Sequence, residues 1–220
     1  MALQIDVVSD LVCPWCFIGK RQLGDAMLSL GGPRKIQWHP MQIYPEIPEQ
    51  GAKKDDFLVK KYGSLEGVHK AMDILTKTGD EFGIRFDFDR ISKIPNTLDA
   101  HRIIYASHAG QQSRLVDRLF SAFFEQGLDI SDRDVLLGVA EASELEPATT
   151  TKALDDDATR EAVLYEQERF KNLGLSGIPN ILLNKQFSIR GARDTESLVR
   201  AFDLALFGVP QKEQPPPVIH

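Results

Sequence analysis

Cys13 and Cys16 are the only cysteines in this 220-residue chain, and they enclose Pro14 and Trp15 in the segment Cys-Pro-Trp-Cys. Two thiols at this spacing have three uses: a dithiol/disulfide couple, two ligands of a zinc site, or a static bridge. A closed zinc site takes four ligands. No second cysteine pair exists, and His39, His69, His101, His108 and His220 offer no compact ligand pair, so no metal is expected. A bridge between such near neighbours closes too small a loop to constrain the unfolded chain much. Thiol–disulfide exchange is the chemistry the spacing favours, and it gives the two sulfurs different tasks.

The elements that must position them are legible nearby. Leu3, Ile5, Val7 and Val8 read as a short strand, Ser9 and Asp10 offer cap-type oxygens, and Pro14 is tolerated in a helix's first turn. The cysteines therefore fall at a helix start. Cys16, Gly19, Leu23, Ala26, Met27 and Leu30 share one face of that helix, with Lys20, Arg21, Asp25 and Ser29 elsewhere. Cys16 belongs to the buried face. Cys13 lies at the helix end, where unpaired backbone N–H groups and the macrodipole favour an anion. Cys13 is thus the attacking sulfur and Cys16 the resolving one, with Asp10 an opposing like charge if it comes close.

The chain is long enough to bury a full core, as one large domain or as a domain carrying an insertion. A net charge of −6 argues against nucleic acid and anionic membrane as partners. No apolar run approaches a membrane span, and the opening MALQIDVVSD lacks the features of a secretory signal, so a cytoplasmic location is expected. In that reducing compartment a disulfide is normally transient.

Beyond the first helix, Gly31-Gly32-Pro33 is a stop, and Ile36 to Ile43 reads as a second strand whose Pro40 suggests an edge or a bulge. From about Lys53 to about Leu173 the apolar spacing is helical almost throughout, punctuated by Gly79, Gly83, Pro95, Gly110, Gly127 and Pro147. Ile181-Leu182-Leu183 and Phe187-Ser188-Ile189 then form a hairpin around Asn184-Lys185-Gln186. A last helix follows, capped by Asp194, with Leu198, Phe202, Ala205 and Leu206 on its apolar face. The two ends of the chain form one sheet with a helical block inserted between them. The proline-rich tail is expected to be disordered.

The strand–Cys-Pro-Trp-Cys–helix opening, the helical insertion and Gly177-Ile178-Pro179 before a strand resemble the DsbA-like branch of the thioredoxin superfamily. The Ser-Asp-x-x-Cys-Pro-Trp-Cys opening is similar to that of its FrnE-type group. Asn96-Thr97-Leu98-Asp99-Ala100-His101-Arg102 also resembles a segment of that group and of 2-hydroxychromene-2-carboxylate isomerases. The resemblance implies an α/β, thioredoxin-like fold with a large α-helical insertion domain. Residues 1–45 and 174–207 would form the thioredoxin-like domain, 46–173 the insertion, and 208–220 the disordered tail.

It also implies a dithiol-disulfide oxidoreductase with catalytic Cys13 and Cys16. Pro179 would be cis and face the sulfurs, leaving the Ile178 backbone to pair with an extended substrate, although base rates alone favour an ordinary trans proline. Pro14 would belong to the substrate surface. Trp15 either contacts substrate or covers the core edge. His101, Tyr105 and His108 are spaced to share a helix face, and with Asn96 and Arg102 they either line the cleft near the sulfurs or form a solvated face. Gly191-Ala192-Arg193-Asp194 departs from the Gln-Pro of many relatives, which bears on substrate preference. The expected partners are disulfide-containing proteins or peptides and glutathione, with no bound cofactor, and related proteins often pair as homodimers. The second reading is a glutathione-dependent isomerase or kappa-class transferase, but those enzymes generally carry serine where Cys13 stands.

Overall fold

The computed structural model describes residues 3–29, 34–175 and 177–207. The chain opens with β1 (Leu3–Ser9), α1 (Pro14–Leu28) and β2 (Arg34–Pro40). The middle comprises β3 (Ala52–Lys53), α2 (Lys54–Tyr62), α3 (Leu65–Glu81), β4 (Lys93–Ile94), α4 (Leu98–Ala106), α5 (Ala109–Phe124), α6 (Arg133–Ala142), α7 (Pro147–Asp155) and α8 (Asp157–Asn172). It closes with β5 (Asn180–Leu183), β6 (Phe187–Arg190) and α9 (Thr195–Phe207).

Four strands form one sheet in the order β2-β1-β5-β6, with β1 parallel to β2 and antiparallel to β5. The parallel pair requires a crossover, which α1 supplies. β2 lies at the edge, where its terminal Pro40 costs no ladder donor to a further strand. The β5–β6 hairpin turns through Asn184 and Lys185, both in the left-handed region at φ 52° and 57°. That is the geometry a two-stranded connection with the right twist needs. Asp194 receives the Ser197 N–H at 2.8 Å and so caps α9. The expected architecture, an α/β thioredoxin-like sheet from the chain ends with a helical insertion, is the one observed.

Two local features differ from expectation. Ser9 and Asp10 do not cap α1; Cys13 itself is the N-cap residue, extended at φ −96° and ψ 107°, with no side-chain cap bond. The antiparallel pair β3–β4, Ala52↔Ile94 and Lys53↔Lys93, was not expected, because two residues carry no measurable period. Leu30, Gly31-Gly32-Pro33 and the 208–220 tail lie outside the described residues.

One apolar core joins sheet and insertion. Leu3, Ile5 and Val7 on one face of β1 pack with Cys16, Phe17, Ile18, Leu23 and Ala26 of α1, and the same cluster continues through Leu75, Ile103, Leu115 and Phe120. Phe17 is the hinge of this arrangement. Its ring stacks on Phe120 at 5.0 Å and 11° and meets Phe86 edge-on at 6.0 Å. The insertion is therefore the far wall of the core that covers α1.

The other sheet face carries a polar fastening for α8. His39 on β2 has Asp6 Oδ1 of β1 2.8 Å from Nε2 and Glu166 Oε1 of α8 2.7 Å from Nδ1. Both bonds form only when both ring nitrogens carry protons. Burial alone would lower the His39 pKa, but the two carboxylates outweigh it and hold the imidazolium above its ordinary value. Burial alone would likewise raise Asp6, but His39 brings it below the usual carboxylate range.

Two predictions follow from these contacts. Phe17→Ala should destabilise the fold by about 3–5 kcal/mol in denaturant unfolding, the range for losing a fully buried aromatic. A folded-state His39 pKa above the unfolded value of about 6.5 means its contribution is complete below that pH and lost as pH rises through the folded value. The urea midpoint should therefore fall on the alkaline side, and His39→Gln should flatten that fall.

Candidate active site

β1 ends at Ser9, and the chain turns through a Cys13 N–H to Asp10 carbonyl bond of 3.2 Å before α1 begins. Pro14 occupies the first helical position, where its missing N–H is no loss. The Cys13 carbonyl receives the first helical bonds, from Cys16 N–H at 3.0 Å and Phe17 N–H at 3.3 Å. Both cysteines are free thiols. Cys13 retains 6% exposure and Cys16 only 1%, while Trp15 between them is 42% exposed. Burial, and then the neighbouring Cys13 sulfur, push the Cys16 thiol well above its ordinary pKa. Cys16 therefore holds its proton more tightly than an exposed thiol would.

Pro179 reaches the same end of the sheet from the opposite end of the chain. Val8 pairs with Asn180, so Pro179 sits one residue beyond the ladder, at the level of Ser9. The Ile178–Pro179 peptide bond is cis. Pro179 is buried, Ile178 half-buried, and the Pro179 carbonyl accepts the Gly191 N–H at 2.8 Å. α1 presses on this ring at Gly19, where an added Cβ would stand 3.2 Å from Pro179 Cγ. Glycine inside a helix costs about 1 kcal/mol relative to alanine. Here the cost permits the close approach of helix and proline.

Asp10 is buried, and its carboxylate is fully engaged. Oδ1 accepts the Leu11 N–H at 2.7 Å and lies 3.3 Å from His101 Nε2, and Oδ2 accepts the Ile43 N–H at 2.7 Å. Its side chain thus ties the cysteine turn to the chain after β2 and to α4. Beside the motif, Val12 and Pro14 line an apolar cavity together with Phe57, Met72, Phe88, Ile94 and Phe124 of the insertion. Lys61 also lines it, its ammonium 5.4 Å from the Tyr44 ring and 5.0 Å from the Tyr62 ring.

The structure brings Cys13, Pro14, Trp15, Cys16, Ile178 and Pro179 to one end of the sheet and connects His101 to it through Asp10. Asn96 and Arg102 have their polar groups engaged with other partners. Asn96 Oδ1 accepts the Leu98 N–H and the Gln42 side chain, and its Nδ2 donates to the Ile47 carbonyl. Arg102 donates to the Ala153 and Asp156 carbonyls and to Asp99, tying α4 to the ends of α7 and α8. Both are joints of the helical block. His101, Tyr105 and His108 do not share a helix face, because α4 ends at Ala106 and His108 is the N-cap of α5.

The sequence reading anticipated neither the Asp10–His101 pairing nor the place of Lys61, and it put Gly19 on the buried face without its contact to Pro179. Gly19 had a signal, a glycine on the buried face one turn after Cys16. The Asp10–His101 contact spans 91 residues and had none. Among the described residues no three His, Cys, Asp or Glu side chains converge as a metal site.

Comparison with known proteins agrees with this geometry. The chain is similar to the uncharacterized protein YwbO of Bacillus subtilis (strain 168), 26% identical over 188 residues, which cover 83% of this chain and 88% of that one. Its fold is similar to the probable DsbA oxidoreductase SCO1869 from Streptomyces coelicolor, with a TM-score of 0.85 at 21% identity, covering 97% and 93% of the two chains. It is also similar to a 2-hydroxychromene-2-carboxylate isomerase, with TM-score 0.68, 13% identity and coverage of 91% and 93%. A third likeness is to the cytosolic disulfide reductase DsbM from Pseudomonas aeruginosa with GSH, with TM-score 0.63, 17% identity and coverage of 93% and 96%. At these identities the solved structures speak to fold. The family model described as DSBA-like thioredoxin domain matches residues 4–203, and the chain belongs to that family.

Proposed function

We propose that this protein is a thiol–disulfide oxidoreductase that exchanges its Cys13–Cys16 dithiol with disulfides of proteins, peptides or small molecules. The observation that carries this reading is the asymmetry of the pair. One sulfur stands at the helix N-cap beside a cavity and an exposed tryptophan, and the other lies a turn below in the core with its proton held tightly. Cys13 attacks a substrate disulfide and forms a mixed disulfide; Cys16 then attacks Cys13, releases the reduced product and leaves an internal bond. The reverse order oxidises a substrate dithiol. Dithiols of this kind span from roughly −270 to roughly −120 mV, according to how far the reduced form is stabilised.

Glutathione is the proposed small redox partner, supported by the fold shared with a disulfide reductase whose structure holds GSH. No bound cofactor is required, and a reducing cytoplasmic setting suits a pair that cycles. The cavity lined by Val12, Pro14 and the insertion offers an apolar side chain of the substrate a seat next to the attacked disulfide. The Ile178 backbone, at the same end of the sheet as the cysteine turn, is the edge this reading assigns to an extended peptide.

Equilibration in a series of glutathione redox buffers, with acid trapping and mass analysis, should show one two-electron transition to an internal Cys13–Cys16 disulfide. Cys16→Ser should accumulate the Cys13 mixed disulfide and lose turnover, and Cys13→Ser should be inert. Thiols that stay free across the series, or turnover indifferent to Cys16→Ser, would replace this reading with a glutathione-dependent isomerase. Gly19→Ala sets a helix gain of about 1 kcal/mol against displacement of Pro179. Its thermal midpoint should stay near that of the parent protein, while kcat/KM for a peptide disulfide should drop by roughly three- to tenfold as the substrate edge moves.

A further inference from the structure

Cys16 must become a thiolate to resolve the mixed disulfide, yet it is sealed in the apolar core, where water cannot solvate an anion. Something there has to receive the charge. β1 runs unbroken from Leu3 to Ser9 in register with β2, so its side chains alternate. Ile5 and Val7 enter the core under α1, and Ser9, two residues further on, is placed on that same side beneath the helix's first turn.

Ser9 is 4% exposed, and its hydroxyl has no hydrogen-bond partner among the described residues, although its carbonyl accepts the Met41 N–H at 3.1 Å. A buried hydroxyl left unpaired is a cost to the resting fold. This hydroxyl, placed on the α1 side of β1, and the Asp10 backbone N–H act in the same direction on the buried Cys16, favouring its ionised form over the thiol. The Asp10 peptide is held in place because its carboxylate is fastened to Leu11, Ile43 and His101. One donor held by the backbone and one unpaired hydroxyl are therefore available to the buried sulfur.

We infer that Ser9 is a catalytic residue of the resolving step: its hydroxyl, with the Asp10 N–H, forms a two-donor pocket for the Cys16 thiolate. This rests on the oxidoreductase reading above. In the step, the Cys16 thiol gives up its proton, and its sulfur forms a bond to Cys13 Sγ. The bond from Cys13 Sγ to the substrate sulfur breaks, and the departing sulfur keeps the electron pair and takes up the proton. The two protein thiols are oxidised by two electrons and the substrate disulfide is reduced by two, so no other oxidant is involved. In the opposite direction Cys16 is the leaving thiolate, and the same donors serve it. Preorganised donors at a site of developing charge act in this way on oxyanions.

The test uses the full chain with glutathione disulfide as the probe, acid quenching, and mass analysis of mixed and internal disulfides across pH. Ser9→Ala should form the Cys13–glutathione adduct at the parent rate. It should resolve that adduct about ten- to a hundredfold more slowly at neutral pH, the loss of one hydrogen bond to a charged group. The pH profile of resolution should move up by about one to two units. Ser9→Thr should keep the parent profile and Ser9→Val should behave like Ser9→Ala; this second pair decides the matter if the alanine variant does not fold. Resolution by Ser9→Ala, or by Ser9→Val relative to Ser9→Thr, at an unchanged rate and with an unmoved profile would overturn the assignment and leave the oxidoreductase reading standing. Failure of the parent protein itself to form the internal disulfide would remove both.

Discussion

The first turn of α1 has to be pressed into the core, and most of the structure exists to press it there. Cys16 and Phe17 are covered by β1 from below and by the aromatic side chains of α3–β4 and α5 from the side. That pressure separates two sulfurs of the same residue type: Cys13, at the helix end, keeps an edge towards solvent, and Cys16 is sealed. Burial makes the ionised form of Cys16 costly and so leaves the two sulfurs chemically inequivalent.

The helical insertion acquires its purpose from the same contact. A four-stranded sheet with one short helix on each side of the site would leave Phe17 and its neighbours partly open. Phe86, Phe120 and Phe124, all from the insertion, close that side at ring separations of 5.0 to 6.1 Å. Where the closure stops short of the motif, it leaves the cavity beside Val12 and Pro14. One segment thus completes the core and shapes the approach to Cys13. Gly19 against Pro179 is the equivalent contact on the sheet side, with the smallest residue admitting the closest approach.

Two clusters of buried carboxylate and imidazole, around Asp10 and around His39, link segments remote in the chain, as the buried Arg102 does within the helical block. Asp10 connects the cysteine turn, the chain after β2 and α4. His39 connects β1, β2 and α8 through two carboxylates. Each carboxylate is compensated by several donors, the condition under which a buried charge is tolerated. His39 needs its second proton for both of its bonds, so alkaline pH loosens α8 from the sheet.

The strand before the motif, the helix after it, the hairpin, the Asp194 cap and the assignment of Cys16 to the buried face were all determined by sequence. Each depends on residues within one or two turns of one another, where alternation, helical spacing and capping chemistry act directly. Asn96, His101 and Arg102 mark the limit of that method. They form one polar group in sequence, yet the fold sends Arg102 to the ends of α7 and α8, Asn96 to the loop after β2, and His101 to Asp10. Tertiary structure alone decided the Asp10–His101 and Asp6–His39–Glu166 contacts, the seat of Pro179 against Gly19, and the burial of the Ser9 hydroxyl without a partner. Those partners lie on different elements, and periodicity within an element says which face a side chain occupies but nothing about what the folded chain sets against that face.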